Sequence, residues 1–141
     1  MKFGLIEQGD NPRKFLNNYI GIQTNLKLLD ESASGIGSMS IGDNDSIIRR
    51  LPLFESIDGS LIPSLSLELL RVAIGASTYQ IKSSNASGES AFGEETGINH
   101  VKLGNLIIPT NEDGSLWILY PRESFRSLSI SEVLSSNYFH E

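Results

Sequence analysis

Two adjacent arginines, Arg49 and Arg50, interrupt an apolar run and are the side chains best suited to bind an anion. Neighbouring residues of a strand point to opposite faces. We therefore predict that one guanidinium faces solvent and the other faces the interior or a cleft. An unpaired guanidinium in a dry interior is strongly destabilising, so the inward arginine requires a carboxylate or several carbonyl groups. Asp43, Asp45 and Glu68 are the nearest candidates in the sequence.

Two interpretations of this arginine pair remain open. In the first, the arginines fasten the turn at 43–46 to the strand that follows it. In the second, one arginine presents its planar fork to an anionic ligand, and the predicted ligand-binding residues are Arg49, Arg50, Asp43 and Asp45. We predict that Arg49→Ala and Arg50→Ala lower stability by unequal amounts, because only one of the two points inward.

Other chemistry finds little support in the sequence. The D-x-D at 43–45 begins like a calcium loop, but the Gly and Glu required at positions 6 and 12 are Ile48 and Phe54. His100 and His140 lack metal-ligand spacing, and no GxSxG serine motif occurs. Cysteine is absent, which excludes disulfides and thiolate chemistry. We therefore predict no catalytic residue, no metal site and no cofactor.

The composition of the chain is typical of one globular domain. It has 141 residues, of which 39% are hydrophobic and 20% charged, so we predict a single domain over 1–141. The net charge of −6 argues against a nucleic-acid partner. Neither a signal peptide nor a membrane-spanning run is evident. Residues 83–97 are rich in Ser, Gly and Glu and are predicted to form a flexible loop.

The predicted elements alternate between short strands and short helices. Asp58-Gly59 predicts a tight hairpin between strands at 47–57 and 60–62. The same DGSL sequence recurs at 113–116 and predicts a second hairpin, between strands at 106–109 and 115–120. Further strands are predicted at 36–41, 78–82 and 100–103. Short helices are predicted after Asn11, after Asn25 and after Ser129, where Glu132 completes a capping box.

The helix that follows Pro63 is the centre of the predicted fold. Seven of its residues from Leu65 to Ile74 are apolar and its polar stripe is narrow, so we predict that it is largely buried. The fold class is thus α+β, with antiparallel β-hairpins packed against a buried central helix and short flanking helices. Structural roles are predicted for Pro63, Leu65, Leu69, Gly114 and Trp117. Trp117, Tyr120 and Phe125 form an aromatic cluster that either packs in the core or lines a ligand pocket.

Several short motifs in order carry a resemblance to a known family. They are Asp43-x-Asp45-x-x-x-Arg49-Arg50-x-Pro52-Leu53, then Ile62-Pro63-Ser64-Leu65-x-Leu67-Glu68-Leu69, then Ile108-Pro109-Thr110-Asn111-x-Asp113-Gly114, then Tyr120-Pro121, and finally Phe125, Ser129, Val133 and Leu134. The sequence resembles the second type of CHASE domain, the cyclase and histidine kinase associated sensory extracellular domain. Ser46 stands where the family usually has Gly. The resemblance spans roughly residues 25–135 and implies a fragment covering the middle of the domain.

The resemblance implies a sensory role without catalysis. Such domains lie on the periplasmic side of the cytoplasmic membrane in bacterial receptors, anchored by membrane helices. Their cytosolic output is an adenylate or guanylate cyclase, a histidine kinase or a serine/threonine kinase. The expected partner is an unknown small-molecule or protein signal. A fragment with open sheet edges is also expected to allow a homodimer, and a structural oligomerisation module without a ligand is the alternative function.

Overall fold

Nine strands and three α-helices make up the part of the chain that the structure, a computed structural model, describes. The described residues are 2–40, 47–88, 96–122, 127 and 129–135. The strands are β1 (Gly4–Gln8), β2 (Asn18–Tyr19), β3 (Arg50–Pro52), β4 (Phe54–Ile57), β5 (Ser60–Pro63), β6 (Thr78–Ser83), β7 (Ile98–Leu103), β8 (Leu106–Pro109) and β9 (Ser115–Trp117). The helices are α1 (Lys27–Ser32), α2 (Leu65–Ala73) and α3 (Ile130–Ser135), with a 3-10 turn at Pro12–Lys14.

The strands form three small sheets with mixed strand directions. The largest has the order β1-β6-β7-β8, in which β1 runs parallel to β6 and the other pairs are antiparallel. The second has the order β2-β4-β5, and the third is the antiparallel pair β3-β9. The α+β class predicted from the sequence is therefore confirmed.

The core lies between the sheets and the inner face of α2. The alternating burial of β6 and β7 shows how period-two patterning turns one face of the large sheet inward. Tyr79 stands at the centre, with Phe3 and Phe54 packed edge-to-face against its ring at centroid distances of 5.1 and 5.2 Å. The buried apolar cluster comprises Leu16, Leu53, Phe54, Leu61, Leu67, Tyr79, Ile81, Ile98, Val101 and Leu103.

Helix α2 is not the buried central helix that its apolar composition predicts. It begins after Ser64, whose hydroxyl caps the backbone N–H of Leu67. Its buried residues are Leu67, Glu68 and Arg71, whereas Leu69 is 62% exposed. The helix therefore turns its charged pair inward and several apolar residues outward. The prediction failed because composition does not reveal which residues share a face with the sheet.

The two DGSL sequences have different structural roles. Asp58 and Gly59, with φ of 47° and 73°, form the predicted tight turn between β4 and β5. The second copy instead carries the chain from β8 in the large sheet to β9, which pairs with β3. The second predicted hairpin is therefore wrong.

Two predicted strands also differ from the structure. The run at 47–57 is divided at Leu53 into β3 and β4, which lie in different sheets. Among the described residues of 36–41, only Ser38 makes a β-bridge, parallel to Ser64. Gly37 explains this close approach, because a Cβ at that position would meet the backbone of Leu65.

The two ends of the predicted flexible loop at 83–97 are held together. Ser84 is buried, its backbone N–H donates to the carbonyl of Gly97, and its hydroxyl accepts from the Gly97 N–H at 2.7 Å. Residues 89–95 lie outside the described residues. The flexibility of this loop stays a prediction.

Candidate functional site: the Arg50–Trp117 cleft

The register of β3 and β9 brings Arg50 and Trp117 together. The two residues are direct Cα partners in this antiparallel pair, so their side chains extend from the same face. The guanidinium carbon of Arg50 lies 5.0 Å from the centroid of the Trp117 ring, within the range of a cation–π interaction. One wall of a surface cleft is formed by this pair.

The turn before β9 adds two acidic residues, Glu112 and Asp113, to the lining of this cleft. Gly114 has a φ of 73°, a conformation that favours glycine, and its N–H donates to the carbonyl of Asn111. Asp113 accepts hydrogen bonds at Oδ1 from the backbone N–H of Ser115 at 3.0 Å and from the Ser115 hydroxyl at 2.6 Å. Glu112 precedes it and is exposed.

These elements enclose an open cleft of about 570 Å³. Its lining includes Arg50, Ile98, Asn99, Glu112, Asp113 and Trp117. The start of β7 supplies the floor, and the backbone N–H of Ile98 donates to the carbonyl of Glu112 at 2.8 Å. Nη1 of Arg50 lies 3.6 Å from Oδ2 of Asp113 at the edge of β9, and both side chains are about half exposed.

The structure places neither arginine in the interior, and Arg50 lines the cleft, which was the other predicted location. Arg49 and Arg50 are both exposed, because β3 is short and its partner β9 lies at the surface. The backbone carbonyl of Arg49 accepts from Ile118. Glu68, one predicted partner, is paired with Arg71 instead, and Arg50 pairs with Asp113. Asp43 and Asp45 lie outside the described residues, so their ligand-binding role stays a prediction.

The predicted structural residues divide into buried and exposed positions. Pro63 is fully buried at the end of β5, and Gly114 is buried against Leu16, which a Cβ at that position would strike. Leu65 is partly buried, while Leu69 and Trp117 are 62% and 59% exposed.

Of the predicted aromatic cluster, Tyr120 donates its hydroxyl to the carbonyl of Ile48. Phe125 and His140 lie outside the described residues.

A buried polar cluster that the sequence did not reveal lies on the inner face of α2. Arg71 donates from Nε and Nη2 to the two carboxylate oxygens of Glu68, each at 2.8 Å. It also donates to the carbonyls of Ala76 and Ser34. Tyr79 donates to Glu68 at 2.6 Å. The i,i+3 spacing of Glu and Arg was the available signal, but it does not by itself distinguish an inward from a solvated pair.

The pKa values of this cluster follow from burial and pairing. Burial alone would raise the pKa of Glu68, but the hydrogen bonds from Arg71 and Tyr79 and the guanidinium charge lower it below its ordinary value. Burial and the Glu68 carboxylate raise the pKa of Tyr79. Glu68 is therefore ionised and Tyr79 is neutral at physiological pH, so the cluster is a fixed ion pair.

Glu55 is a second buried carboxyl group, in the middle of β4. It is 1% exposed and accepts a hydrogen bond from the Ser38 hydroxyl at Oε2. Within the described part of the chain, its Oε1 has no hydrogen-bond partner. Burial raises the pKa of Glu55, and the hydrogen bond from Ser38 opposes this only in part.

The sequence as a whole matches one protein-family model, that of the CHASE2 domain, over residues 5–141. The chain belongs to the CHASE2 family. CHASE2 domains are extracellular sensory domains of signalling receptors and are not catalytic, so the family resemblance noted from the motifs is confirmed. Searches of curated proteins and of solved structures returned no match.

No group of three or more His, Asp or Glu side chains in the described ranges is placed to hold a metal ion. Burial and the nearby Lys82 and Lys102 lower the pKa of His100, and this residue lies beside β8 and outside the cleft lining. No described helix is long and apolar enough to cross a membrane. The cleft is thus the candidate site for the signal that a sensory domain receives.

Proposed function

We propose that this CHASE2 domain is the extracytoplasmic, periplasmic-side sensor of a bacterial membrane-anchored receptor. Its signal is a small molecule or protein, and its output is a cytosolic adenylate or guanylate cyclase, histidine kinase or serine/threonine kinase. The family match over 5–141 carries this proposal. The Arg50–Trp117 cleft supports a small-molecule signal, because its volume of about 570 Å³ lies in the range of known ligand pockets.

The position of the cleft suggests how binding is transmitted. Its lining comes from β3 and β9 and from the start of β7, and these belong to different sheets. A ligand that contacts both parts of the lining favours the arrangement in which they are close. Binding therefore shifts the population between two relative positions of the sheets. In the receptor, that shift would be passed to the membrane helices.

Thermal unfolding of the full chain with a library of small metabolites tests the proposal. We expect at least one compound to raise Tm progressively with its concentration, and Arg50→Ala to abolish the rise. Lys27→Ala is the matched control, because it also removes one positive charge but from an 89% exposed side chain on α1. The absence of any stabilising compound, or an undiminished response in Arg50→Ala, would count against a sensor that uses this cleft.

An oligomerisation module without a ligand is the second candidate function. The observation that favours it is the exposed apolar surface on α1, where Leu26, Leu28 and Leu29 are 74%, 74% and 58% exposed. Apolar groups of this size at a surface mark sites of protein contact. Sedimentation velocity of the full chain would reveal a homodimer, and Leu28→Glu would dissociate it. A monomer at all concentrations would remove this candidate.

A further inference from the structure

The cleft presents charges of both signs to a ligand. Arg50 and Asp113 line it with their charged groups 3.6 Å apart, and Glu112 precedes Asp113 on the turn. Two carboxylates and one guanidinium give an excess of negative charge, which disfavours polyanions and simple anions. The guanidinium in turn disfavours simple cations. A ligand that carries both an anionic and a cationic group satisfies the whole site.

Arg50 and Asp113 are each held in position by a third residue as well as by their mutual ion pair. Arg50 is held over the Trp117 ring, and Asp113 is held by two hydrogen bonds from Ser115 to Oδ1, which leave Oδ2 turned toward Arg50. The 3.6 Å between Nη1 and Oδ2 is longer than a hydrogen bond. Exposed ion pairs of this kind contribute little to stability. A ligand that carries both charges can therefore compete with this weak ion pair for Arg50 and Asp113.

We propose that the Arg50–Trp117 cleft binds a free α-amino acid with an apolar side chain. Its carboxylate accepts hydrogen bonds from the Arg50 fork, and its ammonium group contacts Asp113 and Glu112. Its side chain packs on the exposed part of the Trp117 indole. This inference rests on the proposed sensory function, because it names the chemical class of the signal for the same cleft.

Calorimetric titration of the full chain with matched probes tests the inference. The probes are the twenty L-amino acids, 3-phenylpropionate, which is phenylalanine without its ammonium group, and 2-phenylethylamine, which lacks the carboxylate. We expect saturable binding of phenylalanine or another apolar amino acid. For phenylalanine, removal of either charged group should weaken binding at least about tenfold, since each loses a charged contact. Equal binding of phenylalanine and 3-phenylpropionate would overturn the inference in favour of a simple anion site.

Two conservative variants test which residue contacts the carboxylate of the ligand and which contacts its ammonium group. Arg50→Gln should weaken the binding of phenylalanine about tenfold or more and leave the affinity for 2-phenylethylamine unchanged. Asp113→Asn keeps an oxygen that can accept the hydrogen bonds from Ser115. This variant should bind phenylalanine more weakly and 3-phenylpropionate no more weakly than the unaltered chain. Lys27→Ala should behave as the unaltered chain. The probe comparison in the unaltered chain decides the question even if a variant fails to fold.

The outcomes separate this inference from the broader function. If no amino acid binds but another small molecule stabilises the chain in an Arg50-dependent way, the amino-acid assignment is wrong and the sensory function stands. If neither the amino acids nor the metabolite library binds, both are wrong for this cleft.

Discussion

Tyr79 donates its phenolic hydrogen to Glu68 across 2.6 Å, from a ring with no exposed surface. Arg71 completes the contact with two hydrogen bonds to the same carboxylate. The cluster joins α2 to β6, and through the carbonyl of Ser34 it also fixes the segment after α1. The inner face of α2 therefore depends on a fully paired charge, and apolar packing alone does not account for it.

Glu68→Ala should lower the free energy of unfolding by about 3–5 kcal/mol, because it leaves the buried Arg71 guanidinium without a counter-charge. Urea denaturation followed by circular dichroism would measure the change. Glu31→Ala is the matched control, since this glutamate lies on α1 with its side chain 63% exposed. A loss below about 1 kcal/mol, comparable to the exposed-pair control, would contradict the assigned role of the pair.

Replacing Glu68 and Arg71 together should lower the free energy of unfolding less than replacing either residue alone. Glu68→Leu with Arg71→Met removes both charges and fills similar volume, and such replacements are often neutral or even stabilising. Tyr79 would retain the carbonyl of Leu67 as an acceptor at 3.3 Å. The measurement is the coupling free energy from the double-mutant cycle in urea. Additive losses would show that the two charges do not act as a unit.

Local sequence signals predicted the elements that depend on neighbouring residues. Asp58-Gly59 correctly predicted the turn between β4 and β5, and Ser64 correctly predicted the start of α2. The capping box of Ser129 and Glu132 is also confirmed, since Glu132 accepts from the Ser129 N–H and the Ser129 hydroxyl accepts from the Glu132 N–H. These features are decided within a few residues, where turn and cap chemistry is specific.

The features that local signals missed are set by long-range pairing. β1 was not predicted, and its parallel pairing with β6 joins residues more than seventy positions apart. Arg50 meets Trp117 only because β9 pairs with β3, although the second DGSL sequence predicted a return beside β8. The ligand-binding role of Arg50 stays a prediction, and its pairing with Asp113 and its exposure could not be inferred from residues that are close in the sequence.

Gly37→Ala should lower the free energy of unfolding by about 1–3 kcal/mol, because a Cβ at this position would collide with the backbone of Leu65 and Ser64. The collision would also disturb the bridge between Ser38 and Ser64. Gly21→Ala is the matched control, since open space surrounds a Cβ there, and it should be neutral or slightly stabilising. Equal urea midpoints for the two variants would refute the proposed close approach.

Arg50→Ala should lower the free energy of unfolding by less than about 1 kcal/mol, because its ion pair with Asp113 and its cation–π contact are both exposed. The earlier prediction that Arg49→Ala and Arg50→Ala lower stability by unequal amounts stays a prediction. Urea denaturation gives the value. The same variant should nevertheless change the fluorescence of Trp117, the one tryptophan of the chain. A stability loss of several kcal/mol would show that the guanidinium has a structural role.

Glu55 should make the stability of the domain fall as pH rises. Its folded-state pKa is raised by burial, so the unfolded chain loses this proton first, at its ordinary pKa of about 4.3. From there up to the folded pKa the native state binds more protons than the unfolded state, and the free energy of unfolding decreases with pH. Glu68, whose pKa is lowered, contributes the opposite slope at lower pH.

Replacement of Glu55 by glutamine isolates this effect from that of Glu68. The amide keeps an acceptor for the Ser38 hydroxyl and cannot ionise, so Glu55→Gln should match the unaltered chain below about pH 4 and become progressively more stable than it above that pH. Urea midpoints measured between pH 4 and pH 8 would show the divergence. Glu31→Gln, at an exposed site, should show none. A constant difference across the whole range would mean that Glu55 titrates identically in the folded and unfolded chains, despite its burial.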